Sequence, residues 1–141
     1  MSSSDVDTTN PRSGSCLPRA ASALFGTAMG GTAWALTAWA RAYCDAGDDA
    51  GGRLELTFLF PLVLGAGAAL GLAARATARI LTRRAPAALR AVLPTLLVIA
   101  ATVWPAWWLF ATRGTLAGYP GDSGLCPATN IPPQWPAWLP A

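Results

Sequence analysis

The sequence predicts an all-α fold: a three-helix transmembrane bundle followed by a short irregular extracytoplasmic C-terminal tail. Three observations predict it. Charged residues make up only 12% of the 141 residues, against about 25% in an ordinary soluble domain. Three uncharged apolar stretches are each long enough to cross a hydrocarbon core of about 30 Å, which takes roughly 20 helical residues. Half of the arginines fall in one segment between the second and third stretches, RATARILTRRAPAALR, from Arg75 to Arg90.

The elements follow in order. Residues 1–18, MSSSDVDTTNPRSGSCLP, are polar and small and read as a disordered cytoplasmic N-terminus. Residues 19–113 form the membrane domain, with spans at about 20–43, 55–75 and 91–112. The first carries AASALFGTAMGGTAWALTAWA, the second LTFLFPLVLGAGAALGLAA and the third AVLPTLLVIAATVWPAWWLFAT, none of them with a charge. In lipid the backbone must satisfy its own hydrogen bonds, so uncharged runs of this length read as helices. Residues 114–141 form an extracytoplasmic tail rich in proline and tryptophan. A competing reading treats Ala38-Trp39-Ala40 as a signal-peptide cleavage site, but the apolar stretch before it exceeds the usual signal core. No lipobox precedes Cys16 or Cys44.

The arginine segment sets the direction. Short loops rich in arginine stay in the cytoplasm. Arg75, Arg79, Arg83, Arg84 and Arg90 therefore lie inside, as does the N-terminus with Arg12 and Arg19. The acidic connection CDAGDDAGGRLE and the tail lie outside. Aromatic placement agrees, because tryptophan and tyrosine collect at membrane interfaces. Trp39 and Tyr43 end the first span, Phe58 and Phe60 begin the second, and Trp104, Trp107 and Trp108 end the third. The expected location is the cell membrane, multi-pass, with the N-terminus cytoplasmic. The same arginines have a second reading. If the second span continues as helix, Arg75, Arg79 and Arg83 share a face that attracts anionic lipid headgroups.

Small residues mark the packing surfaces, since they let membrane helices approach closely. Gly26, Gly30, Ala33, Thr37, Ala40 and Cys44 recur at alternating four- and three-residue steps, one seam along the first helix. Gly67 and Gly71, continuing to Ala74 and Ala78, form another on the second. Gly26/Gly30 and Gly67/Gly71 would sit at matching depth in antiparallel neighbours, so spans one and two are expected to pack through these seams. The alternatives are chance spacing in a chain rich in glycine and alanine, or a seam that faces a partner protein or a second copy. The third span has no glycine and carries Pro94 and Pro105, and the second carries Pro61. Each can kink its helix.

Chemistry is sparse. With no histidine, the commonest general base and metal ligand is missing. No cysteine cluster has zinc spacing and no glycine loop could cradle a phosphate. No catalytic, cofactor-binding or metal residue is assigned, and no enzyme activity is expected. Gly-Asp-Ser-Gly in the tail reads as a turn. Nucleic acid is not an expected partner, because the arginines lie between apolar spans. Glu55, the only glutamate, lies at the outer boundary of span two, where Arg53, Arg41 or Arg113 could pair with it. Arg41 and Asp45 stand at i and i+4, a surface-pair spacing.

Two outer features remain. Cys44 and Cys126 both fall on the oxidising side and form a disulfide candidate, while Cys16 falls inside. Loop-closure entropy gives such a bridge an upper bound of about 4–5 kcal/mol. The prolines of CPATNIPPQWPAWLPA favour polyproline II, three residues per turn, which puts Pro132, Trp135 and Trp138 on one face. That face would lie on the membrane interface or dock in a partner's groove.

The tail GYPGDSGLCPATNIPPQWPAWLP, with the three short spans and the acidic outer loop holding one cysteine, resembles small uncharacterised multi-pass membrane proteins of actinobacteria. The resemblance implies no activity, cofactor or site. The expected role is an accessory or interaction subunit of a membrane complex. Its expected partners are membrane lipids and either a membrane protein or further copies of the chain. The alternative is an oligomeric pore or small transporter component.

Overall fold

A computed structural model describes residues 17–47, 49–116 and 123–138. Within them the fold is all helical: α1 (Leu17–Cys44), α2 (Ala50–Leu81) and α3 (Ala87–Arg113), with no strand among the described residues. The chain runs up, down and up. At a rise of about 1.5 Å per residue each helix is about 40–50 Å long, longer than a hydrocarbon core.

Local chemistry sets the helix ends. α1 stops where Asp45 turns left-handed (φ 51°) and Ala46 N–H returns to the Arg41 carbonyl at 3.0 Å, a closure that tolerates a short polar side chain. Asp49 caps α2, its Oδ1 accepting from Gly52 N–H at 2.8 Å. At the far end Thr82 closes α2 with both its N–H and its hydroxyl on the Ala78 carbonyl. Pro86, which cannot continue a helix, opens α3.

Two boundaries differ from the sequence expectation. Leu17 and Pro18 belong to α1 and not to a disordered segment; the rest of that expectation, with Cys16, lies outside the described residues. The arginine segment is not a loop. α2 runs on to Leu81, carrying Arg75 and Arg79, and Arg90 lies in the first turn of α3, leaving only residues 82–86 as the connection. Arginine and alanine are good helix formers, and nothing between Arg75 and Thr82 breaks the ladder.

The helices pack through a narrow stripe of small groups. On α1 the buried residues are Ser22, Gly26, Gly30, Ala33, Thr37, Ala40, Arg41 and Cys44. On α2 they are Val63, Gly67, Gly71 and Ala78, and on α3 Pro94, Val98, Thr102 and Phe110. The closest approach is between α1 and α2. A Cβ added to Gly26 would strike the Gly67 carbonyl, and one added to Gly67 would strike the Gly26 carbonyl. Gly30 meets the Val63 backbone and Gly71 the Ser22 backbone in the same way. Buried hydroxyls are satisfied within their own helices: Thr37, Thr82 and Thr102 each donate to the carbonyl four residues back. Near Pro61, which takes one donor out of α2, Trp34 Nε1 reaches across from α1 to the Leu56 carbonyl at 2.8 Å.

Most of the apolar surface faces outward. α2 and α3 are each long and apolar enough to cross a membrane, yet only 17% of either apolar stretch is buried. Leu62, Leu72, Ile80, Leu96 and Trp104 are among the exposed side chains. α1 does not reach the same apolarity, because glycine, threonine and tryptophan occupy much of it. The structure thus has three helices, of which two meet the composition of a span.

Candidate functional site

Charge divides the bundle into two ends. Asp45, Asp49 and Glu55, the acidic residues among those described, lie at the end where α1 finishes and α2 begins. Arg19, Arg75, Arg79, Arg83, Arg84 and Arg90 lie at the other. The first is called the disulfide end below, the second the arginine end.

At the disulfide end one ion cluster joins all three helices. Arg41, from the last turn of α1, has its side chain 2% exposed. Its Nη1 donates to Glu55 Oε2 on α2 at 3.3 Å, and its Nη2 donates to the Arg113 carbonyl at the end of α3 at 3.1 Å. Arg113 Nη1 donates to the other Glu55 oxygen at 3.0 Å. Arg41 turns to Glu55 and not to Asp45 because Asp45 has already left the helix.

The tail is fastened over this cluster. Cys44 and Cys126 are bonded, with Cα atoms 5.5 Å apart across 82 residues of sequence. Asn130, buried and left-handed (φ 55°), donates from Nδ2 to the Leu116 carbonyl at 2.6 Å. Over the described residues 123–138 the tail turns and does not run as polyproline II. Asn130 N–H closes a turn on the Pro127 carbonyl at 2.8 Å, and Trp135 N–H closes another on the Pro132 carbonyl at 2.9 Å. A proline early in a four-residue segment presets φ for a turn as readily as for an extended strand, and here the bridge and Asn130 hold the chain back on the bundle.

The three tail residues therefore do not share a face. Pro132 is buried. Trp135 is stacked between Trp39 of α1 and Phe110 of α3, with ring centroids 5.3 Å from each. Its Nε1 is buried without a protein partner. Trp138 is 70% exposed and edges a pocket of about 280 Å³ shared with Met29, Leu36, Val103 and Trp107. The spacing of the sequence does not reveal this stack. The signal available was three aromatics, Trp39, Phe110 and Trp135, with the first two ending helices on one side of the bundle.

At the arginine end a groove of about 440 Å³ is lined by Arg19, Leu72, Arg75, Ala76, Arg79, Ile80 and Arg83. Arg75 Nη1 donates to Ser22 Oγ on α1 at 3.3 Å, and its Nε is buried without a protein partner. Arg19 joins from α1, a contribution that the α2 spacing alone does not reveal. Arg84 and Arg90 do not line the groove, and Arg90 Nε donates to the Ala85 carbonyl at 2.8 Å.

The fold and its two ends define a small three-helix bundle whose turns at the disulfide end are joined by an ion cluster and a disulfide-held tail. Comparison with protein-family models, with curated proteins and with solved structures finds no match.

Proposed function

We propose that the protein is an integral membrane protein of three spans that serves as a non-enzymatic accessory or interaction subunit of a membrane complex. The arginine end is cytoplasmic and the disulfide end extracytoplasmic. One observation carries the reading: the apolar lengths of α2 and α3 are turned outward, 17% buried. The core helix of a water-soluble domain would hide such a face, whereas lipid asks for it. α1 crosses with them despite its lower apolarity, because its glycine and threonine stripe is the face turned to its neighbours. The orientation follows from arginine at the short 82–86 connection and acidic groups opposite.

The accessory role is supported by how the polar groups are used. Glu55, Arg41 and Arg113 join helix ends, the buried threonine hydroxyls serve their own helices, and the disulfide holds the tail. What the bundle presents is apolar helix surface and a protruding Trp138 beside its pocket. The test is purification from native membranes in mild detergent, with intact-complex mass measurement. One foreign membrane protein at fixed stoichiometry, lost on Trp138→Ala, supports the role. A homo-oligomer that conducts ions in liposomes replaces it with the pore.

A further inference from the structure

The groove at the arginine end has two unlike walls. One is cationic: Arg19 from α1, Arg75 and Arg79 from successive turns of α2, and Arg83 just beyond. The other is apolar: Leu72 and Ile80, 42% and 60% exposed. Among the described residues every acidic side chain lies at the opposite end of the bundle, so these guanidinium groups have no acidic neighbour within that set. Arg75 spends one nitrogen on Ser22 and keeps a second buried without a protein partner. Like charges gathered around one space repel, and an anion placed among them removes that repulsion.

Donor geometry narrows the anion to an oxyanion, and four guanidinium groups around one space suit the several oxygens of a phosphate better than the two of a carboxylate. A guanidinium offers a planar fork of N–H groups that matches phosphate oxygens two at a time. The apolar wall names its carrier. Leu72 is exposed and lies one turn before Arg75 and Ala76 on the apolar length of α2, so a chain running along that length past Leu72 leads directly into the groove. A free phosphate would leave this wall uncovered. We propose that the groove holds one anionic phospholipid, its phosphate among Arg19, Arg75, Arg79 and Arg83 and an acyl chain along Leu72. The arginine-rich segment then has two roles: Arg75, Arg79 and Arg83 hold lipid, and Arg84 and Arg90, which do not line the groove, act only through charge.

The proposal rests on the membrane reading. The test uses the full chain reconstituted in nanodiscs of equal phosphatidylglycerol and phosphatidylcholine, released into a mild detergent for intact mass measurement. The wild type retains one phosphatidylglycerol. Arg79→Gln/Arg83→Gln, which touches no side chain needed for folding, weakens retention about 30-fold at the membrane-surface value for two arginines. Arg84→Gln/Arg90→Gln removes the same charge and leaves retention unchanged. Equal loss in both double variants, or equal retention of phosphatidylcholine, overturns the site while leaving the membrane reading standing. Displacement of the lipid by millimolar inorganic phosphate overturns the assignment to a phospholipid. A chain that does not enter nanodiscs at all overturns the membrane reading first, and the site with it.

Discussion

Arg41 and Glu55 face each other 3.3 Å apart across the α1–α2 boundary, with the arginine side chain 2% exposed and the glutamate 43% exposed. The carboxylate is the half of the pair that reaches water, and it also holds Arg113. Glu55→Ala therefore leaves a buried guanidinium with only the Arg113 carbonyl. The expected cost is about 1.5–3 kcal/mol, the range for a hydrogen bond to a charged group. Arg113→Gln removes only a surface pair, worth below about 1 kcal/mol. Thermal unfolding in lipid nanodiscs orders the two variants, and a larger effect at Arg113 contradicts the buried role of Arg41.

Glycine at 67 is required by the backbone that faces it. Gly67→Ala places a methyl group on the Gly26 carbonyl, and overpacking of this kind costs about 1–3 kcal/mol. Gly65, two residues away on the same helix, has nothing within 4 Å of an added Cβ. Gly65→Ala is expected to be neutral or slightly stabilising, since alanine is the better helix former. Equal stability of the two alanine variants would mean that α1 and α2 do not meet through Gly26 and Gly67.

Reduction of the Cys44–Cys126 bond is expected to loosen the tail, with a stability loss below the loop-entropy limit of about 4–5 kcal/mol. The limit is not reached, because the packed helices already confine Cys44 and the start of the chain that leads to Cys126. Intact mass measured before and after reduction and alkylation counts the thiols. Free thiols at both positions in the oxidised protein contradict the bridge.

Trp135 contributes through its ring faces, not its N–H. Trp135→Phe keeps a ring between Trp39 and Phe110 and removes an unpartnered buried donor, so stability should change by less than about 1 kcal/mol. Trp135→Ala loses both stacks, each worth about 0.5–1.5 kcal/mol. Trp138→Ala, at an exposed side chain, leaves unfolding unchanged. Near-ultraviolet circular dichroism of the three variants reports the stack directly, and a signal lost with Trp138 but kept without Trp135 would contradict it.

The parts of this fold that were legible in the sequence follow a single helical period. The stripe Gly26, Gly30, Ala33, Thr37, Ala40 and Cys44 is spaced for one face, and all six residues are buried. Three helices could be counted from three uncharged runs, but the ends of those runs are not the ends of the helices. α2 continues through Arg75 and Arg79 because a charged residue ends an apolar run without breaking a hydrogen-bond ladder. The tail was the least legible part. Its prolines are compatible with both extended chain and turns, and the choice is made by contacts remote in sequence: Cys44 to Cys126, Leu116 to Asn130, Trp39 and Phe110 to Trp135. The place of Arg19 at the groove is illegible for a related reason, since it enters by the register of α1 on α2 and not by its own neighbours.

Lipid around the helices and the arginine end facing inward are the two central claims. Single cysteines read both at once, in a chain carrying Cys16→Ser, with Gln134→Cys in the tail, Leu62→Cys on the outward face of α2 and Arg84→Cys between α2 and α3. Intact cells are treated with a membrane-impermeant maleimide. Gln134→Cys is expected to react at once, Arg84→Cys only after permeabilisation, and Leu62→Cys in neither case. Reaction of Arg84→Cys on intact cells with Gln134→Cys spared would reverse the orientation, and reaction of Leu62→Cys as fast as Gln134→Cys would remove the membrane altogether.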